Sequence, residues 1–160
     1  MRYLLPLLAL LLLAGFAVQH ESLVSAIPYA TTADWPVYGG TAASTRYSAL
    51  DQITPANVGQ LKPVWEYHAG DLDTNNRGQI QCNPLIVNGV LYGVNSKIKV
   101  FALDAATGKE RWKFDPFQLL GGQNSWAGTS RGVTYWTDGQ SDERILFSAG
   151  NYLIALNART

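Results

Sequence analysis

The chain has 160 residues, 47% apolar and 15% charged, a balance that suits a folded globular protein and excludes a disordered one. Twelve basic and twelve acidic residues cancel to a net charge of zero, and no Lys/Arg run concentrates the charge. Electrostatics therefore gives no support to a nucleic-acid partner or an anionic membrane surface.

The chain opens as a secretory signal peptide over residues 1–26. Met1-Arg2-Tyr3 carries one positive charge, and residues 4–18 are apolar apart from small residues and Pro6. A less apolar stretch then leads to Val24-Ser25-Ala26, with small or β-branched residues where a signal peptidase needs them. Ala26 is the better cleavage site and Ala17 the second option. The competing reading, an uncleaved anchor, needs roughly 20 apolar residues to span a bilayer, and this run is shorter and interrupted by Pro6. No Cys follows the apolar run, which disfavours a lipid-modified N-terminus. The expectation is an exported, periplasmic protein, with attachment to the membrane left open. Cys82 is the one cysteine, so an exported chain has no internal disulfide to rely on.

Residues 27–33 read as a linker, and Asp34-Trp35-Pro36-Val37-Tyr38-Gly39-Gly40 starts the mature domain, with turns at Pro36 and Gly39-Gly40. Residues 53–61 contain a helical turn, with Thr54 as N-cap and Pro55 at the first helical position. After Lys62-Pro63, residues 64–68 alternate as a strand should, which makes His68 a strand residue; neither it nor His20 is a metal ligand.

From there strands dominate. Residues 84–87 and 90–94 flank Asn88-Gly89, the dipeptide of a type I′ hairpin turn. Residues 99–103 form a third strand, 104–108 a turn, and 110–114 a fourth strand. Four short antiparallel strands joined by tight turns make one propeller blade. Residues 132–136, 144–148 and 151–156 repeat the plan without a fourth strand.

The repeat is visible in the residues themselves. Ala102-Leu103-Asp104 and Thr107 recur as Ala155-Leu156-Asn157 and Thr160, at a constant offset of 53 residues. A period of this size marks a propeller or solenoid, in which no unit buries its apolar face alone. In the complete copy, which also contains Lys109, Asp104 can accept hydrogen bonds from the turn. Gly108 supplies a positive φ, and Trp112 offers a flat face for stacking between blades. The second copy stops before its Gly-Lys-x-x-Trp, so the expectation is the opening part of a longer protein. Expressed alone, such a piece should aggregate or bind hydrophobic dyes.

Asp34-Trp35-Pro36, Tyr38-Gly39-Gly40, Arg46-Tyr47-Ser48, Gln52-Ile53, Asn57-Val58, Leu61, Trp65 and the Trp112 motif together resemble the start of pyrroloquinoline-quinone (PQQ) dependent dehydrogenases. The chain is most similar to the membrane-linked glucose dehydrogenase type. The resemblance covers nearly all of residues 34–160. It implies an all-β propeller of the quinoprotein dehydrogenase type, eight-bladed, of which this chain supplies the first one to two blades. PQQ would lie on the central axis beside a calcium ion, with electrons leaving to ubiquinone or a c-type cytochrome.

The resemblance also implies site residues. Gln81 sits where many members carry a Glu that hydrogen-bonds the PQQ rim. Arg131 matches the arginine that contacts the quinone oxygens, and Gly132 permits close backbone approach. The catalytic aspartate and calcium ligands are expected beyond Thr160. Alcohol dehydrogenases of the family carry two adjacent cysteines shortly before that arginine, where this chain has Ser125-Trp126. That departure points to a sugar or polyol substrate. The rival reading is a non-catalytic propeller of PQQ-like repeats, acting as a protein-binding scaffold in the cell envelope. A lipid-attachment Cys and a missing lead-in from Trp35 to Leu61 would favour it, and the chain shows neither feature.

Overall fold

Alternating apolar residues and tight turns build two antiparallel sheets. The computed structural model describes residues 34–71, 79–119 and 129–160, all within one compact unit, Thr31–Thr160. The signal-peptide and linker readings, and the Ser125-Trp126 pair, lie outside the described residues. The first sheet contains β1 (Leu85–Val87), β2 (Val90–Val94), β3 (Val100–Asp104) and β4 (Glu110–Phe114), in the order β1-β2-β3-β4. The second contains β5 (Thr134–Thr137), β6 (Glu143–Ala149) and β7 (Tyr152–Asn157), in the order β5-β6-β7.

The turns set the register. Asn88 and Gly89 both have positive φ, 50° and 73°, as a type I′ turn requires, and Val87 pairs with Val90 directly across it. The ladder continues with Val94 opposite Val100 and Ala102 opposite Trp112, before a bulge between Ala102 and Leu103. In the second sheet Ala149 pairs with Tyr152 across an equally short turn.

The core lies between the sheets. Tyr92, Val94, Val100 and Ala102 of the first sheet cluster with Ile145, Phe147 and Ala149 of the second, and Trp112, Phe114, Ile154 and Leu156 pack against them. Phe114 and Phe147 meet edge to face with ring centroids 6.2 Å apart. Elsewhere on the second sheet, large apolar groups face outward: Trp136, Tyr152 and Leu153 are 44%, 57% and 78% exposed.

The repeated turn is held as its residues suggest. Asp104 Oδ1 accepts from the Thr107 backbone N–H (3.1 Å) and hydroxyl (2.9 Å), and Oδ2 accepts from Arg111 (2.9 Å). The Arg111 bond is the main reason the Asp104 carboxyl is held below its ordinary value. Gly108, at φ +70°, donates its N–H to the Asp104 carbonyl at 2.8 Å, while the Asp104 N–H bonds the Lys109 carbonyl at 2.8 Å. Trp112 crosses to the second sheet, where its indole N–H donates to the Ala158 carbonyl (3.2 Å).

Two local expectations are corrected. The turn near residue 54 is a short 3-10 turn, Val58–Gln60, and the Thr54 side chain does not cap it. Instead Asn57 organises the loop, accepting the Thr54 N–H at Oδ1 (2.7 Å) and donating from Nδ2 to the Gln52 carbonyl (2.8 Å). Residues 64–68 form no strand among the described residues. Trp65 nonetheless docks on the first sheet, with its indole N–H bonded to the Ala105 carbonyl (3.2 Å) and its ring over Gly108. Tyr67 packs against Phe101 with ring centroids 5.0 Å apart and planes tilted by 45°, and its hydroxyl donates to Glu110. Trp35 adds a single antiparallel bridge to Ile86, covering the free edge of β1 with two backbone hydrogen bonds of 2.7 and 3.1 Å.

Candidate functional site

Two loops meet where the edge strands of the two sheets begin. Residues 79–84 lead into β1 and residues 129–133 into β5. One backbone hydrogen bond ties them, from the Asn83 N–H to the Arg131 carbonyl (3.0 Å). Gly132 makes the approach possible. Its φ is +134°, and a Cβ there would lie 2.8 Å from the Asn83 carbonyl oxygen and 3.6 Å from Cys82 Sγ. A side chain at this position would strain the backbone and collide with it too. Ser130 braces the bend, with its hydroxyl on the Gly132 carbonyl (3.2 Å) and the Gly132 N–H on its oxygen (3.3 Å).

The structure therefore brings Gln81, Arg131 and Gly132 into two adjoining loops. Gln81 is exposed and donates from Nε2 to Gln79 Oε1 at 2.8 Å, which leaves its own carbonyl free to accept. Arg131 is exposed, and its guanidinium makes no hydrogen bond or ion pair among the described residues. An uncommitted guanidinium on one loop and an amide on the adjoining loop are groups that suit a planar, oxygen-rich anion. Cys82, between them, is half-buried against the core, and burial pushes its thiol up despite a backbone hydrogen bond from Val94. Such a thiol stays protonated at neutral pH and acts as a packing group. No group of three or more His, Cys, Asp or Glu among the described residues could hold a metal ion.

A second polar cluster lies at the same end of the first sheet, and the sequence reading did not foresee it. The turn from β2 to β3 puts Lys99 Nζ between Asp71 Oδ2 (3.1 Å) and Asp115 Oδ2 (3.2 Å). Asn95, 1% exposed, donates from Nδ2 to Asp71 Oδ2 (3.0 Å) and to the Ala69 carbonyl (3.2 Å). Burial alone would raise the Asp71 carboxyl, but hydrogen bonds from Lys99 and Asn95 outweigh it and hold it below its ordinary value. The bond to Asp71 raises the Lys99 ammonium against a smaller opposing effect of burial. Asp115 also accepts the Phe117 N–H (3.0 Å) at the start of a short helix, α1 (Pro116–Leu119). Asp followed by Pro is a readable helix-start signal.

Comparison with known proteins bears on these loops. The family model described as PQQ: Glucose/ethanol/alcohol dehydrogenase, beta-propeller domain, matches residues 35–160. An alcohol dehydrogenase (quinone) dehydrogenase subunit from Gluconobacter oxydans is 46% identical over 132 residues, 79% of this chain and 16% of that one. Quinoprotein glucose dehydrogenase A from Acinetobacter calcoaceticus is 38% identical over 121 residues, 74% of this chain and 15% of that one. The crystal structure of quinohemoprotein alcohol dehydrogenase from Comamonas testosteroni superposes with a TM-score of 0.62 at 34% identity, over 82% of this chain and 18% of that one. The chain thus spans about one sixth of the length of the relatives it matches.

Proposed function

The chain belongs to the PQQ-dependent glucose/ethanol/alcohol dehydrogenase β-propeller family, and on that premise we propose that it forms the N-terminal part of an exported dehydrogenase. That enzyme oxidises a hydroxyl of a sugar or polyol and passes the electrons to ubiquinone or a c-type cytochrome. The observation that carries the proposal is the junction of the Gln81 loop with Arg131-Gly132 through the Asn83 to Arg131 bond.

The residues at that junction fit PQQ, a planar quinone bearing carboxylates. Bound PQQ supplies two-electron redox chemistry that protein side chains lack. Arg131 would set a fixed positive charge at the quinone oxygens, where it favours negative charge developing on reduction. The Gln81 amide would hydrogen-bond the rim without adding charge, and Gly132 would let the backbone lie close. Calcium is the accompanying metal in this reading; neither its ligands nor a catalytic aspartate are assigned to a residue of this chain.

Ser125-Trp126, in place of adjacent cysteines, supports a sugar or polyol substrate, while the match to an alcohol dehydrogenase subunit pulls the other way. The apolar run of residues 4–18 and the small residues before Ala26 support export to the periplasm. The test uses the full-length protein, reconstituted with PQQ and calcium and assayed with glucose, sorbitol and ethanol. Turnover of glucose or sorbitol is the expected result. Turnover of ethanol alone would overturn the substrate assignment. Failure to bind PQQ would overturn the dehydrogenase and leave a propeller scaffold.

A further inference from the structure

The peptide between Arg131 and Gly132 is fastened at both of its polar ends. Its carbonyl accepts the Asn83 N–H at 3.0 Å, and its N–H donates to Ser130 Oγ at 3.3 Å. A peptide unit is planar, so holding both ends fixes its rotation and with it the backbone torsions on either side. Those torsions are ψ of Arg131 and φ of Gly132, the latter held at +134°.

The two fastenings differ in kind. The Asn83 N–H belongs to the backbone, whereas Ser130 supplies its half with a side chain. The same hydroxyl donates onward to the Gly132 carbonyl at 3.2 Å, so its O–H and a lone pair are both committed to this bend. Ser130 is half-buried, and Val133, just past the bend, is 7% exposed and part of the core. Between these two anchors Arg131 is exposed, and its guanidinium has no hydrogen bond or ion pair among the described residues. The guanidinium therefore takes its starting direction from the backbone root, and Ser130 is the side chain that fastens that root.

We propose that Ser130 is a positioning residue for Arg131, its hydroxyl locking the Arg131–Gly132 peptide and so setting the point from which the guanidinium reaches the cofactor. Its action on PQQ rests on the function proposed above; its action on the peptide does not. Gly132 and Ser130 have separate parts: glycine permits the bend, and serine holds it. Threonine at 130 keeps the hydroxyl, while alanine removes it and leaves the Gly132 N–H without that acceptor.

The experiment takes the full-length protein and its Ser130→Ala, Ser130→Thr, Arg131→Gln and Ser130→Ala/Arg131→Gln variants. In the apo protein, amide hydrogen exchange is followed at Gly132 and Asn83, with the amides of β5 and β6 as internal reference. PQQ affinity is then measured by titration. Ser130→Ala should speed exchange at Gly132 and Asn83 and weaken PQQ binding, each about fivefold, the net worth of one hydrogen bond. The β5 and β6 amides should not change, because the loss permits local opening only. Ser130→Thr should retain wild-type behaviour in both measurements. In the Arg131→Gln background, Ser130→Ala should weaken PQQ binding no further, since two residues acting through one contact are not additive. Unchanged exchange at Gly132 and Asn83, or acceleration shared by β5 and β6, would overturn the lock. A full fivefold loss of PQQ affinity in the Arg131→Gln background would overturn the action through Arg131. If the wild-type protein binds no PQQ, the proposed function fails while the exchange measurement still decides whether Ser130 holds the peptide.

Discussion

Trp112 donates its indole N–H to the carbonyl of Ala158 at 3.2 Å, and Trp65 makes the same bond, at the same length, to Ala105. Ala158 follows Ala105 at the 53-residue offset, so two tryptophans from successive segments use equivalent acceptors in successive sheets. The two seams are one device used twice.

At the second seam the device is doubled. The Tyr92 hydroxyl also donates to the Ala158 carbonyl, at 3.1 Å, and Ala158 is 1% exposed. Trp112→Phe leaves that carbonyl one partner and should cost about 1 kcal/mol. Trp112→Ala also loses the ring packed 6.0 Å from Tyr92 and should cost about 3–5 kcal/mol. The double change Trp112→Phe with Tyr92→Phe orphans a buried carbonyl and should exceed the sum of its parts by about 1–3 kcal/mol. Urea denaturation of the full-length protein and its three variants measures the coupling; simple additivity would refute it.

Two glycines with similar φ should respond differently to alanine. Gly89 and Gly108 have φ of +73° and +70°, but a Cβ on Gly89 meets nothing within 4 Å, whereas one on Gly108 would lie 2.6 Å from the Trp65 ring. Gly89→Ala should cost only the left-handed backbone penalty of about 1–2 kcal/mol. Gly108→Ala adds displacement of Trp65 and should cost several kcal/mol more, on the order of a lost buried aromatic contact. Thermal denaturation with both variants side by side tests the ordering.

Stability should fall at both ends of the pH scale through identifiable groups. Burial, reinforced by the nearby Tyr135 and Glu143, pushes Tyr92 from 10.0 up to about 12. A raised folded value means its contribution is complete below pH 10.0 and is lost as the pH rises towards about 12. Tyr92→Phe should flatten that alkaline decline. Asp71 has the opposite sign: its lowered folded value gives stability above the ordinary 3.8, lost as the pH falls below it. Asp71→Asn should therefore flatten the acid limb. Urea midpoints read against pH would show either effect as a change of slope.

The site glycine and arginine should separate fold from binding. Gly132→Ala places a Cβ 2.8 Å from the Asn83 carbonyl at φ +134°, and should cost about 1–3 kcal/mol of stability together with most PQQ affinity. Arg131→Gln removes an exposed charge with no partner among the described residues. It should leave the melting temperature within about 2 °C, as surface changes do, while weakening PQQ binding. PQQ titration with parallel melting curves checks both, and an Arg131→Gln protein with full affinity would remove that residue from the site.

The strands were legible because alternation and turn chemistry agree. Asn88-Gly89 admits one hairpin register, and the apolar residues on either side then fall on the core face. Residues 64–68 show the limit of that reasoning. Alternation correctly separates Trp65 and Tyr67, packed on the first sheet, from exposed Glu66 and His68, yet it says nothing about a backbone partner. Asn57 displaced Thr54 because a side chain that both donates and accepts can hold two loop carbonyl and amide groups at once. Gln81, Arg131 and Gly132 entered through resemblance, and their proximity depends on Asn83, which has no sequence signature. The Lys99 bridge was illegible for a simpler reason: Asp71, Lys99 and Asp115 are far apart in sequence and follow no motif spacing.

The tryptophan seams also bear on how such a chain can grow. Each joint is split between neighbours, with the indole in one repeat and its carbonyl acceptor in the next. A segment one full period long and cut just after Trp65, residues 66–118, carries one donor, Trp112, and one acceptor, Ala105. Tandem duplication of that segment inserts a unit already mated on both sides, so the repeat number can change without inventing a new interface.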